Sequence, residues 1–217
     1  MLSKENLESF TNKYQTDIVT ISREYCEHLF LSYLYQIPGS ERILFKGGTA
    51  LRIILKSPRF SEDLDFTGVQ ITQYEVETIF TDTLAELEKN GIAVEVSEGK
   101  NTTGGYLGIA TFHVFELPIP IKIEVSLRMT AGPKGVRSVI TNDYIPSYTL
   151  VHLPPDEIIR GKLDALQARH KPRDFYDYFF LLHGNYALVK KMETLQMVLD
   201  LLKNTRIDFH SELKKFL

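Results

Sequence analysis

Phe60-Ser61-Glu62-Asp63-Leu64-Asp65-Phe66 is the stretch on which the reading of the fold turns. Polar and apolar residues alternate from Asp63 to Thr67, which predicts a short strand, because successive strand side chains point to opposite faces. Asp63 and Asp65 then share one face, while Leu64 and Phe66 share the other and face a core. Two carboxylates a few ångströms apart repel and resist joint ionisation. A divalent cation relieves that repulsion. Hard oxygen donors suit Mg²⁺, which keeps waters and substrate phosphates as its remaining ligands. A bare D-x-D also fits a solvated strand end, so the pair needs neighbours before it reads as a site.

Two neighbouring stretches supply them. In Ile121-Lys122-Ile123-Glu124-Val125-Ser126-Leu127 the apolar residues fall on one face and Lys122, Glu124 and Ser126 on the other. If this strand lies beside the first, Glu124 joins Asp63 and Asp65 as a third metal ligand, a set suited to two-metal phosphoryl transfer. Upstream, the run Ile43-Leu44-Phe45 ends at Lys46-Gly47-Gly48-Thr49. Glycines let a phosphate approach the backbone, and a following helix N-terminus offers free N–H groups and a favourable dipole. Thr49 could cap that helix through about Lys56, and its hydroxyl could reach a phosphate oxygen. Walker A spacing is absent, and a tight turn before a helix remains the plainer alternative.

Working outward, Lys4 to Gln36 reads as helical up to Pro38-Gly39, and Thr72 to Asn90 as an acidic amphipathic helix ended by Gly91. Ile92 to Val96 and Tyr106 to Glu116 read as strands around turn chemistry from Gly99 to Gly105. Pro118 and Pro120 mark an edge or a break. Ala131 to Thr149 reads as irregular, with one β run at Val136 to Ile140. Pro155-Asp156 opens a helix, and helical periodicity continues with breaks near Pro172 and Gly184. The expected organisation is α+β: a core with an N-terminal helix over residues 1–150, then a helical lobe over 151–217.

The 217 residues carry 25 Lys+Arg and 28 Asp+Glu, a net charge of −3. That balance hides an asymmetry. Ser61 to Glu98 holds ten acids and one lysine, or −9, so the remainder is −3 − (−9) = +6. Arg160 to Arg173 alone is +4, with Lys162 and Arg169 on one helix side. A helical lysine could hold a triphosphate, with Asp174 or Asp177 orienting it, and Arg173 and Asp177 are placed for an i, i+4 ion pair. Ordinary surface ion pairs are the alternative. Arg128, Lys134 and Arg137 could extend a groove for an RNA backbone. The single Cys26 excludes an intrachain disulfide framework and a Cys-cluster zinc site, and fits a reducing cytoplasm. No signal peptide and no apolar run long enough to span a bilayer are apparent.

Four blocks occur in order: Phe45-Lys46-Gly47-Gly48-Thr49-Ala50-Leu51, Arg59-Phe60-Ser61-Glu62-Asp63-Leu64-Asp65-Phe66, Lys162-Leu163-Asp164-Ala165-Leu166 with Arg169, and Arg173-Asp174-Phe175-Tyr176-Asp177. Together they resemble the AbiEii/AbiGii family of nucleotidyltransferase toxins of toxin–antitoxin and phage-defence systems. The resemblance implies a DNA polymerase β-like nucleotidyltransferase core with a mixed sheet and a helical C-terminal lobe. It implies a phosphate-contacting Gly47, Gly48 and Thr49, a metal-binding Asp63 and Asp65, a nucleotide-binding Lys162, and an acidic fourth motif at Asp174 and Asp177. The nucleotide-binding set then comprises Lys46, Gly47, Gly48, Thr49, Ser61, Lys162 and Arg169. Glu124 is a geometric expectation, since the third carboxylate varies in the family. The implied chemistry is Mg²⁺-dependent transfer of a nucleoside monophosphate from an NTP to an acceptor, an RNA such as a tRNA 3′ end, with a cognate antitoxin as partner. A protein or small-molecule hydroxyl is the alternative acceptor, and a non-catalytic nucleotide-binding regulatory module is the alternative from another class.

Overall fold

The computed structural model describes residues 2–115, 117–129, 132–205 and 208–209, with Arg128 and Met129 described by backbone alone. Among these residues the strands are β1 (Ile43–Lys46), β2 (Asp63–Val69), β3 (Val94–Thr102), β4 (Gly105–Val114), β5 (Leu117–Met129), β6 (Val136–Ile140) and β7 (Tyr148–His152). The α-helices are α1 (Lys4–Tyr14), α2 (Ile18–Leu34), α3 (Gly47–Leu55), α4 (Gln73–Lys89), α5 (Pro155–Arg169), α6 (Pro172–His183) and α7 (Met192–Asn204). The strands form one sheet in the order β3-β4-β5-β2-β1-β7-β6. β2 runs antiparallel to β1 and parallel to β5, so the sheet is mixed and the fold α+β, as expected.

The alternation that starts at Asp63 is what places β2 near the centre. Leu64 and Phe66 are fully buried, while Asp63 and Asp65 on the opposite face are partly exposed. On the core side Phe66 lies 5.4 Å from the Phe45 ring and 6.2 Å from Phe80 of α4, and Phe80 meets Phe30 of α2 at 5.7 Å. This aromatic chain ties the sheet to the two helices that cover it. Removing a ring such as Phe66 by substitution with alanine costs about 3–5 kcal/mol.

Several boundaries differ from the sequence reading. The N-terminal helix is two helices: Gln15 adopts φ 53°, and the Asp17 carboxylate then accepts the Thr20 N–H at 2.8 Å to start α2. Thr49 does not cap α3, which begins at Gly47. β3 continues through Gly99 to Thr102, confining the turn to Thr103-Gly104, where Gly104 takes φ 84°. β5 runs straight through Pro118 and Pro120. Both lie where β4 flanks the strand but β2 does not, because pairing with β2 begins at Lys122. Their missing N–H groups are therefore tolerated, as at an edge. β7 was not anticipated; it is a short run without alternation, lies parallel to β1 and is buried at Leu150, Val151 and His152. Glu116, read as the end of a strand, lies outside the described residues. After β7 the described chain is helical, and α5 packs on both α3 and α6.

One buried acid has a consequence for stability. Glu27 of α2 is 1 % exposed, and its Oε1 lacks a hydrogen-bond partner. Burial first, and the charge of Glu24 second, push its carboxyl well above the usual range. The folded chain keeps this proton at pH values where the unfolded chain has lost it. Stability therefore falls as pH rises above the ordinary glutamate range. Glu27→Met removes that dependence. In thermal melts the difference in melting temperature should move in favour of the variant between about pH 4 and about pH 8. A constant difference across that range contradicts a protonated Glu27.

Candidate active site

The pairing of β2 with β5 assembles the exposed face. Lys46, Asp65, Glu124 and Leu107 are successive partners across β1, β2, β5 and β4, and Asp63 is opposite Lys122 in the next row. Both aspartates are held in a costly state. Burial, with the charges of Glu124 and Glu62 adding to it, raises the Asp63 carboxyl against the opposing Lys122. Asp65 is pushed up to about 6, by burial first and then by the charge of Asp63, with Lys162 and Lys46 opposing. Two acids that resist ionisation side by side are a donor set that a divalent cation stabilises.

Glu124 does not complete a preformed triad. Its carboxylate pairs with Lys122, its strand neighbour two residues earlier. Among the described residues, no three His, Cys, Asp or Glu side chains converge closely enough to hold an ion by themselves. Asp63, Asp65 and Glu124 nevertheless line one cleft, with Glu124 turned to Lys122.

The turn between β1 and α3 fits against these acids. Gly47 adopts φ 85°, and a Cβ added there would sit 2.1 Å from Asp65 Oδ2. A Cβ on Gly48 would sit 2.6 Å from Ser61 Oγ. Glycine is thus favoured at both positions, at Gly47 for backbone conformation and room and at Gly48 for room. Thr49 departs from its expected role. It is fully buried, and its hydroxyl donates to the Asp63 carbonyl at 2.6 Å, so it pins β2 rather than facing a phosphate.

α5 and α6 bring the basic side. Lys162 Nζ lies 2.8 Å from Asp177 Oδ2. Arg59 grips the same carboxylate with two bonds, Nε to Oδ1 at 2.8 Å and Nη2 to Oδ2 at 3.1 Å. Burial alone would raise the Asp177 carboxyl, but Lys162 and Arg59 outweigh it and hold it below the usual range. Asp177 therefore bonds these two cations rather than Arg173, its expected partner. Asp174 does a different job. It accepts from Arg169 Nη2 at 2.7 Å and from the Lys171 backbone N–H at 3.4 Å, which caps α6. The two acids of the fourth block are thus separable: Asp177 holds Lys162, and Asp174 holds Arg169.

These groups enclose a polar cleft of about 180 Å³. Of the expected residues, Gly48, Ser61, Asp63, Asp65, Glu124, Lys162, Arg169, Asp174 and Asp177 line it. Lys46 lines a second cleft of about 290 Å³ with Asp65, Glu124, Tyr106 and the β3–β4 turn. Lys134 and Arg137 line neither, since β6 is the far edge strand, and the Arg128 side chain lies outside the described residues. Arg59, Lys122 and Arg173 also line the polar cleft, although the sequence reading gave them no role there. Lys122 was legible from the alternation that selected Glu124. Arg59 appears in the sequence only as the residue that opens the second block, and its burial and its partner Asp177 are set by the fold.

Two substitutions probe this geometry. Asp177→Ala removes the carboxylate shared by Arg59 and Lys162 and should cost about 3–5 kcal/mol in urea unfolding, because breaking a buried pair strands the remaining charge. Gly47→Ala should weaken divalent-cation binding, read by calorimetry, at least about tenfold, through strain at φ 85° and collision with Asp65. Unchanged binding would contradict the fit of this turn against Asp65.

The chain was compared with known proteins. A family model described as "Nucleotidyl transferase AbiEii toxin, Type IV TA system" matches residues 29–215. Two crystal structures share the fold. One, titled a "putative nucleotidyltransferase from H. pylori", is 21 % identical with a TM-score of 0.57, the match covering 85 % of this chain and 76 % of that one. The other, JHP933 from Helicobacter pylori, is 22 % identical with a TM-score of 0.59, covering 85 % and 74 %. A comparison with curated proteins gives no match. With the family model spanning most of the chain and the aspartate pair, glycine turn and Lys162–Asp177 pair gathered at one cleft, the protein belongs to the AbiEii family of nucleotidyltransferase toxins of type IV toxin–antitoxin systems.

Proposed function

We propose that the protein transfers a nucleoside monophosphate from an NTP to a hydroxyl of an RNA, such as a tRNA 3′ end, and that an antitoxin restrains this activity. The observation that carries the reading is the shared wall of the two clefts, since Asp65 and Glu124 line both. A transfer reaction needs two ligands to meet at one set of carboxylates. The smaller cleft carries Arg59, Lys122, Lys162, Arg169 and Arg173, cations suited to a triphosphate. The larger cleft, with Lys46, Tyr106 and the turn at Thr103-Gly104, has room for one small group such as a terminal nucleoside.

In this scheme the acceptor oxygen attacks the α-phosphorus, the bond to the β-phosphate breaks, and pyrophosphate leaves. Lys162 and Arg169 hold the triphosphate, and the backbone of Gly48 at the start of α3 lies against it. Asp63 and Asp65 would hold Mg²⁺, which when bound supplies positive charge to the phosphates. Glu124, exposed at the shared wall, takes the proton of the attacking hydroxyl.

Total RNA incubated with each α-³²P-labelled NTP and Mg²⁺ tests the reading. Wild-type protein should label RNA, and Asp63→Ala and Lys162→Ala should each lower labelling at least about a hundredfold. Full activity in both variants, or tight nucleotide binding without pyrophosphate release, would sink the scheme. Label migrating with protein or a small metabolite would replace RNA as the acceptor.

A further inference from the structure

The segment between α3 and β2 is a two-faced strap. Residues Arg59, Ser61 and Glu62 line the polar cleft, whereas Ser57, Pro58 and Phe60 line a separate cleft of about 560 Å³ at the other end of α3. One side chain holds the strap from that far side. Arg52 Nη1 donates to the carbonyls of Pro58 at 2.8 Å and Ser57 at 3.3 Å, and the guanidinium lies 3.7 Å from the centre of the Phe60 ring. Arg52 is itself fixed. Its Nε and Nη2 bond the two oxygens of the buried Glu24, Nη2 at 3.0 Å, and Glu24 also accepts from the Tyr144 hydroxyl at 2.6 Å. On the other face of the strap, Arg59 donates to the Phe60 carbonyl at 2.8 Å and makes the two bonds to Asp177 that also holds Lys162.

We infer that Arg52 is a positioning residue for nucleotidyl transfer, although it lines only the far cleft. It sets the height of the strap, the strap places Arg59 on Asp177, and Asp177 sets Lys162. The strap lies close to α3: Gly48 carries no side chain, and a Cβ there would lie 3.2 Å from Arg59 Nη2 and 2.6 Å from Ser61 Oγ. A strap that lifted away would draw Arg59 off its carboxylate. The inference rests on the proposed transfer reaction for its kinetic readout but not for its structural one.

The structural readout is exchange of the Arg59 Nε proton, followed by NMR in ¹⁵N-arginine-labelled protein. Arg52→Met should speed this exchange at least about tenfold, since the bond to buried Asp177 is loosened. The kinetic readout is a double-mutant cycle. Arg52→Met should lower kcat for RNA labelling at least about tenfold, and Arg52→Met with Arg59→Met should lose no more than Arg59→Met alone. A residue that merely stabilised the fold would give losses that multiply. If Arg52→Met does not fold because Glu24 is left without its cation, Arg52→Met with Glu24→Gln keeps the Tyr144 bond without a buried charge and takes its place. Unchanged Arg59 exchange, unchanged kcat or multiplying losses overturn the inference. If wild-type protein labels nothing, the transfer reading fails, and Arg59 exchange still decides whether Arg52 holds the strap.

Discussion

Holding like charges close together in a half-buried place is the constraint around which the rest of this molecule is arranged. Asp63 and Asp65 project from one face of a strand whose other face is core. Their repulsion cannot relax by rotation, because Leu64 and Phe66 lock the strand from below and the Thr49 hydroxyl holds its first carbonyl. What surrounds the pair is rigid and brings cations within reach of it. Lys122 sits opposite Asp63 in the next strand, and Lys162 is held nearby by a carboxylate that cannot itself leave. Asp177 stays ionised although buried because two cations share it, and in return it keeps both of them in place. Buried ion pairs of this kind contribute little to net stability but are costly to break, which suits a site that must keep its geometry while charged substrates come and go.

The fold and part of the site were legible in the sequence because strand alternation is a two-state signal. Once Leu64 and Phe66 are assigned to the core, Asp63 and Asp65 have nowhere else to point, and the same holds for Glu124 beside Ile123 and Val125. That β2 and β5 lie side by side was only a condition of that reading, and their parallel pairing is supplied by the structure. Harder to read were features set by partners distant in sequence. Asp177 chooses Arg59, 118 residues away, over the helical neighbour Arg173 that local spacing favours. Thr49 looks like a phosphate contact from its place after two glycines, yet tertiary packing turns its hydroxyl to a strand carbonyl. β7 carries no alternation because its middle and end are buried, and its first residues fall at the end of the stretch read as irregular.

Charge is divided along the chain in the same spirit. The −9 segment supplies the aspartate pair at its start and then α4, whose buried side holds Val76, Ile79 and Phe80 while its acids face outward. The compensating cations lie outside that segment. Five of them surround the polar cleft, and Lys46 stands at the second one. Six carboxylates, Glu62, Asp63, Asp65, Glu124, Asp174 and Asp177, line the same cleft, so the near balance of the whole chain recurs there as interleaved acids and bases.

The turn at Gly47 has a meaning beyond chemistry. A side chain at Gly47 meets both the strain of φ 85° and the Asp65 carboxylate, yet the position is half-buried and lies outside the aromatic core. For a toxin, that separates loss of activity from loss of fold. If the proposed cleft carries the reaction, one codon change at Gly47 would disarm the chain while the core of Phe30, Phe45, Phe66 and Phe80 stays in place.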